Sequence, residues 1–373
     1  MTATVHIAES APSMTLRVQK TREIPVFRGK LETSMPDAGN SRGRYVSPSR
    51  CRAVAGIAAI ETALGSRLVS NEEIAAQIPT LDAEDIVRLT GIEHRRWVSD
   101  HETALTLGAH AARKVLDSAN MAVGEIDLLL CCSGTPMHVT PSMACLLLQE
   151  LSPGNRGGNV AACDLNAACS GYLYALQMAY DYLHSCPHHS VLIVTTETLS
   201  RRIKRTDVAT APIFGDAASA TLLYGEAYRE RFQAQVYRPI LSAKGDNAET
   251  LCVPMHNHDT YITMKGQKAF REAVRAMIMM LHQACAQARI RPEELSLIVP
   301  HQSNQRIIDA IRRRLLVPKD RVFSNIRHIG NTSSSSIPLC LEKLLKERES
   351  NELLGLCAFG GGFTYGGAIL RMI

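Results

Sequence analysis

From Ala53 to the C-terminus, apolar runs typical of strands alternate with segments of helical spacing, which leaves few folds open to the chain. The strand-like runs are Ala53–Leu64, Ile126–Cys132, Ser190–Thr196, Ala218–Tyr224, Leu295–Val299, Leu353–Phe359 and Thr364–Met372. Helical spacing covers Asn71–Gln77, Glu102–Ser118, Pro141–Leu151, Ala269–Arg289, the end of His301–Leu316, and Ser334–Lys346. We therefore predict an α/β fold with largely parallel sheets that are covered on both faces.

The same order of elements occurs twice, which indicates an internal structural duplication without obvious residue identity. We predict one half over residues 53–228 and another over residues 229–373. Residues 1–52 differ in composition, and Met1–Arg50 carries eight basic and four acidic residues. We expect a solvated, partly ordered extension there. A basic arm that contacts an acidic partner is the alternative.

The overall composition excludes several classes of protein. With 46% hydrophobic and 21% charged residues, the chain is typical of a globular protein with a sizeable core. A net charge of +5 on 373 residues does not indicate nucleic-acid binding. No apolar run reaches the roughly 18 residues that a membrane span needs, and no signal-peptide core is present. The eleven cysteines form no CxxC pair, as expected for free thiols in the cytoplasm.

One cysteine lies where a strand turns into a helix. Val160–Ala162 ends an apolar run that we interpret as a buried strand, and helical spacing resumes at Tyr172. Cys169 falls in the small-residue turn between them. The unpaired N–H groups at a helix N-terminus stabilise a thiolate, so we expect a lowered thiol pKa. The alternative is that Cys169 is one more small core residue.

Four other short segments carry groups suited to chemistry. His301 follows an apolar strand, and the C-terminal ends of strands are where α/β proteins gather their sites. Asn331 begins a polar turn before a helix. Phe359–Phe363 contains three glycines, which permit close backbone approach to a ligand, and Phe214 opens a similar turn. Taken singly, each has a bland explanation as a hydrogen-bonded loop or an ordinary turn.

Taken together, these segments resemble the β-ketoacyl-acyl-carrier-protein synthase III family of thiolase-like condensing enzymes. The matching segments are Ala168–Gly171, Pro300–Asn304, Gly330–Ser333 and Phe359–Thr364, with Arg88–Ile92 and Ile213–Asp216 in support. They occur in the family's order and extend from about Ala53 to the C-terminus. The resemblance implies a thiolase-like fold with two duplicated halves layered α-β-α-β-α, and a homodimeric acyltransferase.

The resemblance also implies a role for each matched residue. Cys169 would hold the acyl chain as a thioester, while His301 and Asn331 would stabilise the enolate formed from a malonyl group. The N–H groups of Cys169 and Gly361 would form the oxyanion hole. Candidate substrate contacts are Thr140, Phe214, Phe270, Asn304 and Phe363. No cofactor is implied, since the substrates are carried on phosphopantetheine of acyl carrier protein or on CoA.

Departures from the family pattern concern the acyl donor. Asp85 and Val208 stand where typical members place the Trp and Arg that clamp the CoA adenine, so we expect weak binding of free CoA thioesters. Basic residues that face acyl carrier protein in the family are retained at Arg271, Arg306, Arg313 and Arg314. Arginines suit an acidic carrier and its phosphate. The alternative is that Arg313 and Arg314 belong to a solvated helix end.

A second departure from the family pattern concerns the length of the acyl chain that the pocket can hold. Thr140 stands where many members place a Phe that closes the acyl pocket of the partner subunit. The smaller residue predicts primers longer than acetyl, although inserted residues near 153–158 disturb the local alignment.

Candidate metal ligands form no convincing set. The short clusters His188–His189 and His256–His258 lack further ligands at useful spacing, so we interpret both as surface loops and predict no metal site.

The main hypothesis is decarboxylative condensation of an acyl chain held on Cys169 with a malonyl- or β-ketoacyl-carrier-protein thioester, in specialised or fatty-acid metabolism. Transfer of the acyl group to a hydroxyl or an amine is the alternative on the same fold, although retention of Asn331 favours carbon–carbon bond formation. A non-catalytic subunit of a synthase complex is a third hypothesis. It predicts no acylation of Cys169.

Overall fold

The computed structural model describes residues 54–152, 159–254 and 260–373, and the account below concerns these residues. The predicted extension over residues 1–52, the insertion at 153–158 and the cluster His256–His258 lie outside them. The strands are β1 (Ala55–Leu64), β2 (Arg67–Ser70), β3 (His94–Trp97), β4 (Leu128–Cys132), β5 (Ala161–Leu165), β6 (Ser190–Glu197), β7 (Ala217–Gly225), β8 (Ala234–Val236), β9 (Ile240–Ala243), β10 (Leu251–Cys252), β11 (Thr263–Met264), β12 (Leu297–Pro300), β13 (Leu353–Gly360) and β14 (Thr364–Met372).

The helices lie between these strands, as the spacing predicts. They are α1 (Asn71–Ala75), α2 (Ala83–Thr90), α3 (Ala104–Ala119), α4 (Met143–Leu151), α5 (Gly171–Ser185), α6 (Gly266–Ala288), α7 (Gln305–Leu315), α8 (Ile326–Ile329) and α9 (Ser336–Glu347). Side-chain caps fix several of their starts: Ser142 accepts from Cys145 N at 3.2 Å before α4, and Asn304 accepts from Arg306 N at 2.8 Å before α7. The α2 helix and the β2–β3 ribbon were not predicted.

Ten strands form one sheet, in the order β12-β13-β14-β8-β1-β7-β6-β4-β5, with β9 paired to β14. Parallel pairing is limited to β4 with β5 and β6, and β12 with β13. The other pairs are antiparallel, so the prediction of largely parallel sheets is wrong. The reason is local, because β13 and β14 are joined by a tight Gly361–Phe363 turn, which only an antiparallel pair permits.

Two series of strands share one connectivity. In the first, β4 lies between β5 and β6, and β7 separates β6 from β1. In the second, β12 pairs with β13, which is followed by β14 and then by β8 and β9. An isolated parallel bridge between Ile298 and Val322 stands where β5 stands in the first series. The topology therefore supports the proposed duplication.

Three apolar clusters define the layers. The central cluster joins α5 and α9 to strands of both series, including Leu176, Leu341 and Leu356. A second packs α3 and α4 on the outer face of the first series, and a third packs α6 and α7 on the outer face of the second. This is the α-β-α-β-α order that the resemblance implies. Burial of these side chains at about 25 cal/mol per Å² is the main stabilising contribution.

The β5 strand departs from its prediction as a buried strand. It lies at the end of the sheet, and Ala161 and Cys163 are exposed. An apolar run therefore does not show burial when the strand is an edge strand.

Candidate active site

Cys169 lies in a short 3₁₀ turn over Ala168–Ser170 that leads directly into α5. The preceding residue, Ala168, has a positive φ of 47°, and its N–H donates to Asn166 Oδ1 at 3.1 Å. The turn is fastened to β14, because Ser170 Oγ donates to Thr364 O at 3.0 Å. The predicted position of the cysteine at the start of a buried helix is confirmed.

The glycine-rich turn approaches the backbone of this cysteine closely. A Cβ atom on Gly360 would lie 2.8 Å from Cys169 N, so only glycine fits there. Thr364 Oγ1 donates to Ala167 O at 2.8 Å and holds the two turns together. Gly361, the predicted oxyanion residue, follows directly in this turn and is half-buried.

His301 is buried at the end of β12. Its Nδ1 lies 2.6 Å from Ser336 Oγ, which also accepts from Gln302 N at 3.3 Å. Burial lowers the pKa of His301 to about 3, so the imidazole is neutral at pH 7. Ser336 therefore fixes the ring through Nδ1, and Nε2, which has no hydrogen-bond partner among the described residues, can act on a substrate.

Asn331 is held by the loop that contains Phe214. The two residues form a parallel bridge, in which Asn331 N donates to Ile213 O and Gly215 N donates to Asn331 O, both at 2.9 Å. The side-chain oxygen of Asn331 accepts from Ser333 N at 2.9 Å. Because that oxygen is occupied, the amide NH₂ is the group presented to the site.

One cavity of about 500 Å³ brings the three reactive side chains together. Its lining includes Cys169, His301 and Asn331 and, among the other predicted residues, Phe214, Phe270, Asn304, Arg271 and Arg306. Most of the remaining wall is apolar, contributed by residues such as Leu251, Met264 and Phe359. The arrangement suits an acyl chain with a polar head that enters past arginines.

Four predicted contacts lie elsewhere. Phe363 is fully buried and packs on Phe359, with ring centroids 4.7 Å apart, so it supports the cavity wall without lining it. Thr140 is exposed on the loop between β4 and α4 and does not line the cavity of its own chain. Arg313 and Arg314 are exposed in the last turn of α7, away from the lining.

The predicted lowering of the Cys169 thiol pKa is wrong for the resting site. Burial and, to a smaller extent, the nearby Glu197 raise the pKa to about 12, against a lowering by hydrogen bonding to Ser333. The cysteine is thus a thiol at neutral pH. A short 3₁₀ turn offers less dipole than a long helix, while desolvation acts on the whole buried sulfur.

Sequence reasoning missed the roles of a run of four buried serines. Ser333 contacts the nucleophile, Ser334 Oγ donates to Glu197 at 2.7 Å, Ser335 Oγ lies 2.8 Å from Thr195, and Ser336 holds His301. Four successive serines before an apolar helix were the available signal, because buried hydroxyls require partners. Glu197 at the end of β6 was also missed.

Glu93, His94 and His328 form the group among the described residues whose ligand atoms lie within 4.8 Å of one another, as a metal site requires. Glu93 is already paired with Arg327, however, and the pKa of His94 is lowered by burial, then by the neighbouring His328, and to a smaller extent by the positive charge of Arg95 and Arg96. We assign no metal to it. No helix among the described residues is long and apolar enough to cross a membrane.

Comparison with known proteins gives the family. Residues 163–238 match the family model of 3-oxoacyl-[acyl-carrier-protein (ACP)] synthase III, and residues 285–372 match that of its C-terminal region. The β-ketoacyl-[acyl-carrier-protein] synthase III of Aquifex aeolicus is 35% identical over 310 residues, which are 83% of this chain and 96% of the relative. That of Xanthomonas euvesicatoria is 35% identical over 326 residues, 84% of this chain and 97% of the relative.

Solved structures agree. The crystal structure of the Aquifex aeolicus synthase III superposes with a TM-score of 0.78 at 34% identity and covers 85% of this chain and 99% of that one. The priming β-ketosynthase of the R1128 polyketide biosynthetic pathway superposes with a TM-score of 0.78 at 28% identity, covering 86% and 97%. The predicted thiolase-like fold is confirmed, and the chain belongs to the β-ketoacyl-acyl-carrier-protein synthase III family of acyl-transferring condensing enzymes.

Proposed function

We propose that Cys169 takes an acyl chain from a thioester donor and that the bound chain then condenses with a malonyl- or β-ketoacyl-carrier-protein thioester. The observation that carries this proposal is the convergence of Cys169, His301 and Asn331 on one apolar cavity. In the first step the Cys169 thiol gives up its proton as the sulfur attacks the thioester carbon, and the N–H groups of Cys169 and Gly361 receive the developing oxyanion. When the oxyanion collapses, the bond from the acyl carbon to the donor sulfur breaks, and the donor leaves as a thiol that carries a proton equivalent to the one lost by Cys169.

In the second step, loss of CO₂ from the malonyl group leaves an enolate whose oxygen carries the charge. The neutral imidazole of His301 and the oriented amide of Asn331 are donors suited to that oxygen. The enolate carbon then attacks the acyl-cysteine thioester and releases the Cys169 thiolate. Because both donors are uncharged, neither places a net charge in the apolar cavity before the reaction.

The charge pattern favours a carrier-protein donor over free CoA. Arg271 and Arg306 are exposed and line the cavity, where they can meet a phosphopantetheine phosphate and an acidic carrier surface. Asp85 is paired with Arg88, and Val208 is 48% exposed. Neither Asp85 nor Val208 supplies an aromatic ring or a cation that could hold an adenine.

The cavity wall favours a primer longer than acetyl. Its volume of about 500 Å³ exceeds what a two-carbon group fills, and Phe270, Leu251 and Met264 provide an apolar lining. The role of Thr140 in a partner subunit remains part of this proposal.

A homodimer is proposed on the exposure of β5. Ala161 and Cys163 are exposed on a strand at the end of the sheet, where a second copy can continue the hydrogen-bond ladder. The described cysteines are free, as expected in a reducing compartment, and the cytoplasm is the proposed location.

Intact-protein mass spectrometry tests the proposal. Wild type and Cys169→Ala are incubated with matched acyl-CoA and acyl-carrier-protein donors of increasing chain length. We expect one acyl mass on wild type, faster from the carrier and from chains longer than acetyl, and none on Cys169→Ala. Cys145→Ala serves as the control for an exposed thiol and should be acylated like wild type.

Each contrary outcome has a distinct meaning. Acetyl-CoA as the best donor would contradict the interpretation of Asp85 and Val208. Acylation followed by transfer to an amine or a hydroxyl, with no decarboxylation of malonyl-carrier protein, would favour the acyltransferase alternative. No acylation from any donor would favour a non-catalytic subunit.

A further inference from the structure

The segment Pro212–Asp216, called the Phe214 segment below, lies between β3 and the turn that carries Asn331. Its residues bond alternately to these two sides. Toward the turn, Ile213 O accepts from Asn331 N and Gly215 N donates to Asn331 O, both at 2.9 Å. The backbone N–H and C=O of Asn331 are therefore both held by this segment, and the direction of its side-chain amide depends on where the segment lies.

Two side chains of β3 hold the opposite side of the Phe214 segment. Arg95 Nη2 donates to Pro212 O at 2.8 Å, and Trp97 Nε1 donates to Phe214 O at 2.9 Å. Because Arg95 and Trp97 are two positions apart, both side chains project from the same face of the strand. They thus bond to alternate carbonyls of one segment.

Further contacts leave the segment and the turn little freedom to shift. Arg96 O, on the backbone of β3, accepts from Asp216 N at 2.8 Å. A Cβ atom on Gly330 would lie 3.1 Å from Arg95 Cβ, so the residue before Asn331 also packs closely against β3. A displacement of the Arg95 side chain would therefore be transmitted to this turn.

Arg95 is an unusual residue at a fully buried position. Its Nη1 donates to Val69 O at 3.3 Å, so the guanidinium bridges two backbone carbonyls, while its Nε has no hydrogen-bond partner among the described residues. Burial lowers its pKa to about 10, and Glu73 and Glu72 oppose that shift from beyond ion-pair distance, so Arg95 is charged at neutral pH. A buried charge without an ion-pair partner is costly, and what this planar fork supplies in return is a fixed geometry.

We propose that Arg95 and Trp97 are positioning residues that act through the Phe214 segment to keep the amide of Asn331 at the enolate oxygen. This proposal rests on the condensing reaction proposed above. A donor must lie about 2.7–3.1 Å from the position of the developing charge, and a displacement of about 1 Å can lower the rate about 100-fold. Acylation of Cys169 uses other donors, so these contacts serve condensation and not acylation.

The donor on Trp97 can be removed without a change of shape. Trp97 is the only tryptophan of the chain, so biosynthetic replacement of tryptophan by benzothienylalanine changes this residue alone. The analogue keeps the bicyclic ring and carries sulfur in place of N–H, which removes the hydrogen bond to Phe214 O. We expect single-turnover condensation of acylated enzyme with malonyl-carrier protein to slow at least tenfold. Acylation of Cys169 from a carrier-bound donor should stay within about twofold of wild type.

Arg95→Lys tests the second contact, since it keeps the charge but replaces a two-pronged donor with a single ammonium group. Lysine cannot bridge Val69 O and Pro212 O in the same geometry, so we expect the same selective loss of condensation. A wild-type rate in Arg95→Lys would show that the charge alone suffices and would overturn the role of the fork. Should Arg95→Lys fail to fold, the replacement at Trp97 decides the proposal.

Thr196→Val is the matched control. It also removes one buried hydrogen bond to a backbone carbonyl, from Thr196 Oγ1 to Ala104 O at 2.6 Å, but this bond faces the outer helix α3. Both steps should run within about twofold of wild type in Thr196→Val. Selective loss of condensation in this control as well would mean that any missing buried hydrogen bond has the same effect, and would overturn the proposal.

Combination with Asn331→Ala distinguishes a positioning role from a general structural one. If Trp97 acts through the amide of Asn331, tryptophan replacement in the Asn331→Ala variant should slow the remaining condensation by less than twofold. An equal loss with and without the Asn331 amide would mean that Trp97 acts independently of it, which contradicts the proposal.

Amide hydrogen exchange at Gly215 and Asn331 gives a readout that needs no substrate. Both N–H groups belong to the bridge between the Phe214 segment and the turn, so we expect exchange at least tenfold faster after tryptophan replacement and in Arg95→Lys, but not in Thr196→Val. Faster exchange in a protein that condenses no chain would support the positioning contacts and reject the condensing reaction. Unchanged exchange together with normal condensation would reject the positioning contacts and leave the condensing reaction in place.

Discussion

Single residues of the active site are uncharged where chemistry is expected to begin. Burial raises the pKa of Cys169 to about 12 and lowers that of His301 to about 3. An apolar acyl chain can therefore fill the cavity without desolvating an unpaired charge beside it, which would cost several kcal/mol. The charge that forms during the reaction instead meets dipoles that are already oriented.

The depressed pKa of His301 predicts a pH-dependent stability. Unfolding restores the ordinary pKa of about 6.5, so between pH 6.5 and pH 3 the unfolded chain binds a proton that the folded chain refuses. This contribution is complete above pH 6.5 and is lost as the pH falls. His301→Gln lacks it, so the stability of wild type relative to the variant should be greater at pH 7 than at pH 4.5 by about 2 kcal/mol.

Urea unfolding of both proteins at the two pH values measures this difference. Glu197, whose pKa burial raises to about 7, acts in the opposite direction over pH 4.5 to 7. Because Glu197 is present in both proteins, its effect cancels in the comparison. An equal stability difference at pH 7 and pH 4.5 would show that His301 titrates normally in the folded protein.

At the scale of single residues, the sequence located the reacting residues but did not predict their protonation states. The position of Cys169 follows from a local strand–turn–helix pattern, which a short window contains. Its pKa depends on burial by segments such as Thr332–Ser334 and Gly360, which lie more than 160 positions away. The contact of Ser336 with His301 joins residues 35 positions apart, and neither local pattern contains it.

Among the elements, the turn before α9 serves the whole site. Asn331 begins it, and Ser333, Ser334 and Ser336 contact Cys169, Glu197 and His301 in turn. Its start is fixed by Gly330, whose φ of +74° is favourable for glycine and whose added Cβ would lie 2.9 Å from Ile213 O. A shift of this turn would therefore displace several groups at once.

Ser336→Ala should separate the two steps of the reaction. It removes the 2.6 Å partner of His301 Nδ1, so the imidazole loses its fixed orientation while Cys169 is untouched. When the partner that orients a metal-bound histidine is removed, metal affinity or activity typically falls by about 10- to 100-fold. We expect decarboxylative condensation to slow by about this factor, while the rate of Cys169 acylation stays within about twofold.

Single-turnover assays of each step measure the two rates, with Ser335→Ala as the control for the loss of a buried hydroxyl. A similar slowing of acylation and condensation by Ser336→Ala would assign the serine a structural role instead.

The helices and strands themselves were largely predictable from sequence, because long periodic segments such as Ala104–Ala119 carry a strong signal. Strand direction was not, since it depends on which strands pair.

For the whole molecule, one strand joins the two series of the sheet. The three-residue β8 pairs with β1 through Ala55–Ile57 on one side and with β14 through Leu370–Met372 on the other. Cys169 belongs to the first series and His301 to the second. The nucleophile and the imidazole therefore follow the strands at opposite ends of one continuous hydrogen-bonded sheet, β5 and β12.

The exposed edge strand β5 leads to a prediction about the assembly of the protein into dimers. Cys163→Lys places a charge on the exposed β5 strand, where natural edge strands use lysine to prevent pairing. We expect wild type to sediment as a dimer and Cys163→Lys to dissociate at least tenfold more readily. Leu68→Lys, at a position 56% exposed on β2, should sediment like wild type. Dimers of equal affinity in all three proteins would exclude β5 as the interface.

The position of β8 between the two series of strands also determines where the polypeptide could be divided into separately expressed fragments. Because Ala234, Gln235 and Val236 complete the ladders of both neighbours, a polypeptide cut on either side of them exposes an unpaired edge on one product. Co-expressed fragments would thus have a template for reassembly, and neither would be a self-sufficient catalyst. Tolerance of circular permutation would be expected in loops remote from β8 and lowest around it.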